Sequence, residues 1–156
     1  MQRITGYYID WVRGPEADAV ASEVIEANIA HAKAKCERLR NLLLGATRRS
    51  WHIICPHEHE KIVAAGYQNG SVASSEIIDF WCTVGAVPSD VLIVGRDENE
   101  MSGGMVREYQ WAVAAKNIVW WLPDGMDSDE IKDEAALIES ELEQKWLRGL
   151  LPPITT

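Results

Sequence analysis

The chain has 156 residues, 47% of them hydrophobic and 25% charged, close to the average for one globular domain with a single core. Its 24 Asp and Glu against 15 Lys and Arg give a formal charge of -9, a field that repels phosphate backbones and anionic lipid surfaces, so no nucleic-acid or membrane partner is expected. Apolar runs such as Val91–Val94 and Ile118–Leu122 fall far short of the roughly 20 residues that span a bilayer, and the start Met1-Gln2-Arg3 lacks a signal-peptide core; a cytoplasmic protein is expected. Cys36, Cys55 and Cys82 are an odd number without CxxC spacing, which argues against a disulfide framework and a cysteine zinc cluster.

The first element, Arg3–Ile9, is a short apolar and aromatic run that suits a buried central strand, followed by a turn over Asp10-Trp11-Val12-Arg13-Gly14-Pro15. From Glu16, apolar residues at Val20, Val24, Ile25, Ile29, Ala32, Cys36, Leu39 and Leu43 recur at three- and four-residue spacing, which predicts one long amphipathic helix closing at Gly45. Trp51–Cys55 reads as a strand stopped by Pro56, which cannot donate to a ladder. His57–Ser71 reads mostly as loop, and Ser74 or Ser75 caps a helix running from Glu76 through Val84.

Asp90–Gly95 has the composition of a buried parallel strand. A polar loop, Arg96–Met101, leads through Ser102-Gly103-Gly104 to a helix over Met105–Ala115, and Asn117–Leu122 is another buried strand. Ser128 caps a last helix with Ile131, Ala135, Ile138, Leu142 and Trp146 on one face, whose charge run at Glu139, Glu141 and Glu143 reads as a solvated face. Strands alternate with helices throughout. The expected fold is a single α/β domain over residues 1–150, flavodoxin- or Rossmann-like, with a parallel sheet of four or five strands in the order 2-1-3-4, helices on both faces and a tail over 151–156.

In such a sheet, ligands lie outside the carboxyl ends of the strands. Four segments end there: Tyr7–Arg13, Pro56–Glu60, Arg96–Glu108 and Pro123–Gly125. A serine and two glycines directly before a helix leave backbone N–H groups open to an anion, so Ser102, Gly103 and Gly104 form a candidate phosphate cradle; the plainer reading is a cap and a flexible turn. Glu108 lies four residues beyond Gly104, where an acid often only complements the helix dipole.

Three segments resemble the nucleoside 2-deoxyribosyltransferase superfamily, which includes the 2'-deoxynucleoside 5'-monophosphate N-glycosidases and uncharacterised phage and bacterial relatives. They are Ile4-Thr5-Gly6-Tyr7-Tyr8 with Arg13-Gly14, Ile53-Ile54-Cys55-Pro56-His57, and Asp90-Val91-Leu92-Ile93-Val94 leading to Ser102-Gly103-Gly104-Met105-Val106-Arg107-Glu108. The resemblance implies that Glu108 is a nucleophile attacking C1' of a deoxyribose, because an oxocarbenium-like transition state is stabilised and trapped by a carboxylate. It implies that Tyr7, or Tyr8 in a shifted register, orients that carboxylate, and that Asp79, with Glu76 as the alternative, assists the departing base. Ser102 falls where the monophosphate N-glycosidases hold a 5'-phosphate, and Arg13 and His57 fall beside the ligand.

Cys55-Pro56-His57-Glu58-His59, with His52 before it, invites a zinc reading, but a loop beyond a strand end explains it as well, and neither metal nor cofactor is expected. Trp11, in a loop that ends at the site, is a candidate for stacking on a base, whereas Trp81, Trp111, Trp120 and Trp121 read as core or interface, and His31 and Cys36 as structural. The leading expectation is an enzyme that cleaves or exchanges the N-glycosidic bond of a (deoxy)nucleoside or its 5'-monophosphate. A non-catalytic nucleotide or nucleotide-sugar binding domain, acting as sensor or phage accessory protein, is the alternative, and a homo-oligomer is open.

Overall fold

A computed structural model describes residues 3–10, 22–56, 82–101 and 103–150. Four strands, β1 (Ile4–Ile9), β2 (Trp51–Ile54), β3 (Val91–Val94) and β4 (Ile118–Trp121), form an all-parallel sheet in the order β2-β1-β3-β4. Among the described residues the α-helices are α1 (Ser22–Leu43), α2 (Gly103–Ala114) and, after β4, α3 (Ser128–Leu150). The α/β class, the parallel pairing and the strand order are those the sequence predicts.

Position in the sheet follows from composition. All four residues of β3 are buried, as are all of β1 except Thr5, because the two central strands are covered on both faces and are mostly apolar or aromatic. Alternation along β1 sends Ile4 and Tyr8 to one face and Tyr7 and Ile9 to the other. The first face packs on Ala32, Cys36 and Leu39 of α1 and on Ile131, Ala135, Ile138 and Leu142 of α3. The second packs on Cys82, Ala86, and Met105 and Ala112 of α2. Each fully buried Ile or Leu contributes about 1.5–3 kcal/mol of transfer free energy, so the two clusters together dominate stability. Trp120 and Trp121 divide between the faces as expected, with Trp120 in the first cluster and Trp121 against the second.

Several expectations are corrected. The helix expected through Val84 is, over its described end, a single π-helical turn, Cys82–Ala86, closed by a bond of 2.8 Å from the Val87 N–H to the Cys82 carbonyl; Glu76 and Asp79 lie outside the described residues. Asp127, rather than Ser128, caps α3, since its carboxylate accepts from the Glu130 N–H at 2.8 Å while its carbonyl accepts from the Ile131 N–H at 3.1 Å. Glu139 is 2% exposed instead of solvated, because it stands four residues from Ala135 and three from Leu142 and so shares their buried stripe. Trp111, read as core or interface, is 40% exposed on α2 and so lies outside the core of this chain. The close of α1 at Gly45 agrees with expectation, the glycine taking the left-handed φ of 70° that ends many helices.

Candidate functional site

β1 and β3 are neighbours in the sheet but not in sequence, so the chain leaves their carboxyl ends toward opposite sides; this is where open α/β sheets bind ligands. The two strand exits are joined by a bond of 2.8 Å from the Gly95 N–H to the Ile9 carbonyl. On either side of this seam stands a tyrosine with a carboxylate.

On the α2 face, the Tyr7 ring is fully buried among Cys82, Leu92, Met105 and Ala112. Glu108 shares the helix face of these neighbours, three residues past Met105 and four before Ala112, which turns it toward the sheet end and leaves it half-buried. Burial pushes the Tyr7 phenol far up, and the Glu108 carboxylate adds to this through its charge and by hydrogen bonding. Under strict geometry, however, the Tyr7 hydroxyl has no hydrogen-bond partner among the described residues. The two groups face one another short of a formed bond, a contact of the kind that tightens when a ligand is bound.

On the α1 face, the Tyr8 hydroxyl donates to Asp10 Oδ2 at 3.1 Å, and the Asp10 carboxylate is wholly buried. Arg96 Nε donates to Asp10 Oδ1 at 2.7 Å, and Lys35 Nζ lies 3.4 Å from Oδ2. Arg96 also reaches Asp124 at 2.7 Å, and Lys35 reaches Asp124 and the Gly95 carbonyl, each at 2.8 Å. Arg96 Nη2 meets His31 Nε2 at 2.8 Å. Burial would lower the Arg96 guanidinium, but Asp10 and Asp124 outweigh it and hold it above its ordinary value. Burial would likewise raise the Asp124 carboxyl, but Lys35 and then Arg96 hold it below the usual carboxylate range. Such a saturated cluster locks the ends of β1, β3 and β4 to α1. Asp10 is an anchor of this cluster, on the opposite face of the sheet from Tyr7 and Glu108.

Of the residues singled out from the sequence, Tyr7 and Glu108 are brought together, and Tyr8 is engaged elsewhere, with Asp10. Gly103 and Gly104 are the first two residues of α2 rather than a loop before it, and their N–H groups belong to the turn that has no intrahelical acceptors. Ser102, Trp11, Arg13, His57 and Asp79 lie outside the described residues. No group of three or more His, Cys, Asp and Glu able to hold a metal occurs among the described residues, and none of the described helices is long and apolar enough to cross a membrane.

Sequence reasoning missed the Asp10 cluster and read His31 as merely structural. One signal was available: Asp10, Arg96 and Asp124 each follow shortly after a strand predicted to be parallel, so all three had to emerge at one sheet edge. No protein-family model, curated protein or solved structure matches this chain significantly.

Proposed function

We propose that the chain binds a (deoxy)nucleoside or its 5'-monophosphate at the carboxyl end of the sheet and cleaves or exchanges its N-glycosidic bond through Glu108. The observation that carries this reading is the buried Tyr7 phenol set against the Glu108 carboxylate beside the β1/β3 seam. A phenol kept neutral by burial can donate to the carboxylate and aim one oxygen without competing for its charge. Glu108 attacks C1', the C1'–N bond breaks, and its electron pair leaves with the base, which takes up a proton. Water or a second base then attacks C1' of the glycosyl-enzyme and frees Glu108, so the sequence balances without a cofactor.

A 5'-phosphate fits the same frame. Glu108 lies four residues, about 6 Å of helix rise, beyond Gly104 and on the same face, so an anion at the N-terminus of α2 places the sugar over the carboxylate. The reading also carries a cytoplasmic placement, where nucleotide pools lie. Incubation with a panel of nucleosides and monophosphates, followed by chromatography for free base, tests it. Base release from a monophosphate is expected; tight binding without release would replace it with a nucleotide-binding domain.

A further inference from the structure

We propose that Gly85 is a positioning residue: by lacking a side chain it seats the Tyr7 ring and thereby sets where the Tyr7 hydroxyl stands against Glu108. The proposal rests on the pairing of Tyr7 with Glu108 described above, but not on what reaction that pair performs.

Gly85 is buried in the π-helical turn Cys82–Ala86. A Cβ built on it would lie 2.6 Å from Tyr7 Cδ2 and closer still to Cε2. Ordinary carbon–carbon contact is about 3.5–4.0 Å, so any side chain there must drive ring or turn back by about 1 Å. The turn is the harder of the two to move. The Val87 N–H closes it on the Cys82 carbonyl at 2.8 Å, Ser89 Oγ donates to the Gly85 carbonyl, and Asn117 Nδ2, just before β4, donates to the Ala86 carbonyl at 2.6 Å.

The ring therefore yields, and its hydroxyl leaves the place in which it faces Glu108, within a cluster that among the described residues also holds Met105 and Ala112 of α2. A π-helical turn carries one more residue than an α-helical turn, and such turns recur at functional sites because they re-aim what they pack against. Here the turn presents backbone, not a side chain, to the phenol.

The test is a double-mutant cycle read at Glu108. In carbon-13 glutamate-labelled protein the Glu108 carboxyl resonance is assigned by its loss in Glu108→Gln, and its titration is followed in wild type, Tyr7→Phe, Gly85→Ala and the double variant. The phenol O–H facing the Glu108 carboxylate favours its charged form, so Tyr7→Phe is expected to move the Glu108 titration upward. Gly85→Ala is expected to move it in the same direction by a comparable amount, and to add nothing in the Tyr7→Phe background, whereas general loosening of the fold would act equally in both. An unchanged Glu108 titration in Gly85→Ala, or an equal shift in both backgrounds, overturns the proposal, as does a Tyr7→Phe variant that leaves Glu108 unmoved. If Gly85→Ala does not fold, Gly85→Ala with Tyr7→Leu should fold, because the ring atoms are gone; failure of that pair also overturns it. A positive cycle in a protein that releases no base would leave Gly85 in its role and remove the glycosidic reading alone.

Discussion

Tyr7 and Tyr8 are consecutive in β1, yet their hydroxyls are directed to two different carboxylates on opposite faces of the sheet: Tyr8 to Asp10 at 3.1 Å and Tyr7 toward Glu108. The strand's two-residue period produces the division, and the two carboxylates differ in what surrounds them. Asp10 is held by Arg96 and Lys35 and belongs to the framework, whereas Glu108 stands against the Tyr7 phenol and is the carboxylate proposed to act on the ligand.

The framework role of Asp10 is measurable. Asp10→Asn removes a wholly buried charge and leaves Arg96 and Lys35, both largely buried, with one carboxylate between them. Breaking a buried pair from one side costs about 3–5 kcal/mol, so urea unfolding should show a loss of that order. Glu37→Gln breaks the exposed pair with Arg40 and should change stability by no more than about 0.5 kcal/mol.

Both pH limbs of stability carry signatures of the same residues. Asp124 titrates below its unfolded value of about 3.9, so its contribution is complete above that pH and is lost as pH falls through the folded value. The acid limb of the stability curve should flatten in Asp124→Asn. Tyr7 and Tyr8 are raised, burial first and then Glu108 and Asp10 respectively, so their contribution is complete below the unfolded value of about 10 and is lost as pH rises beyond it. Alkaline unfolding monitored by circular dichroism should shift to higher pH in Tyr8→Phe if the variant keeps its packing.

Glu139 is buried with neither oxygen hydrogen-bonded among the described residues, and its contact with Arg48 is long, at 3.6 Å. Arg48 is mostly exposed and keeps Glu143, so replacing Glu139 does not strand a buried cation. Glu139→Leu should therefore raise stability, by about 1 kcal/mol, while Glu141→Gln on the exposed side changes it by less than about 0.5 kcal/mol. A chemical denaturation series on the two variants checks both.

Strand positions and order were legible because Ile4–Ile9 is largely apolar and aromatic, Val91–Val94 is an unbroken apolar run, and βαβ alternation admits few topologies. The pairing of Tyr7 with Glu108 was legible only as an implication of the resemblance that Ile4–Tyr8 and Ser102–Glu108 carry to the nucleoside 2-deoxyribosyltransferase superfamily. The Arg96–Asp10 pair joins residues 86 apart in sequence, and nothing local in either segment names the other. Gly85 was silent for a different reason, since a glycine's role here is set by what approaches it. The cap of α3 was misplaced by one residue because Asp127 and Ser128 are both good caps, and only the carboxylate's bond to the Glu130 N–H distinguishes them.

The most direct measurement is release of free base from a 2'-deoxynucleoside 5'-monophosphate by wild type and by Glu108→Gln, with folding of the variant checked by its unfolding midpoint. Glutamine keeps the shape of Glu108 and removes the charge that must attack C1' and stabilise positive charge on the sugar, so turnover should fall by several kcal/mol of transition-state stabilisation, on the order of a thousandfold, with the fold intact. Turnover within a few-fold of wild type would contradict Glu108 as nucleophile and leave it as a glutamate that merely complements the helix dipole, worth about 0.3–1 kcal/mol of stability.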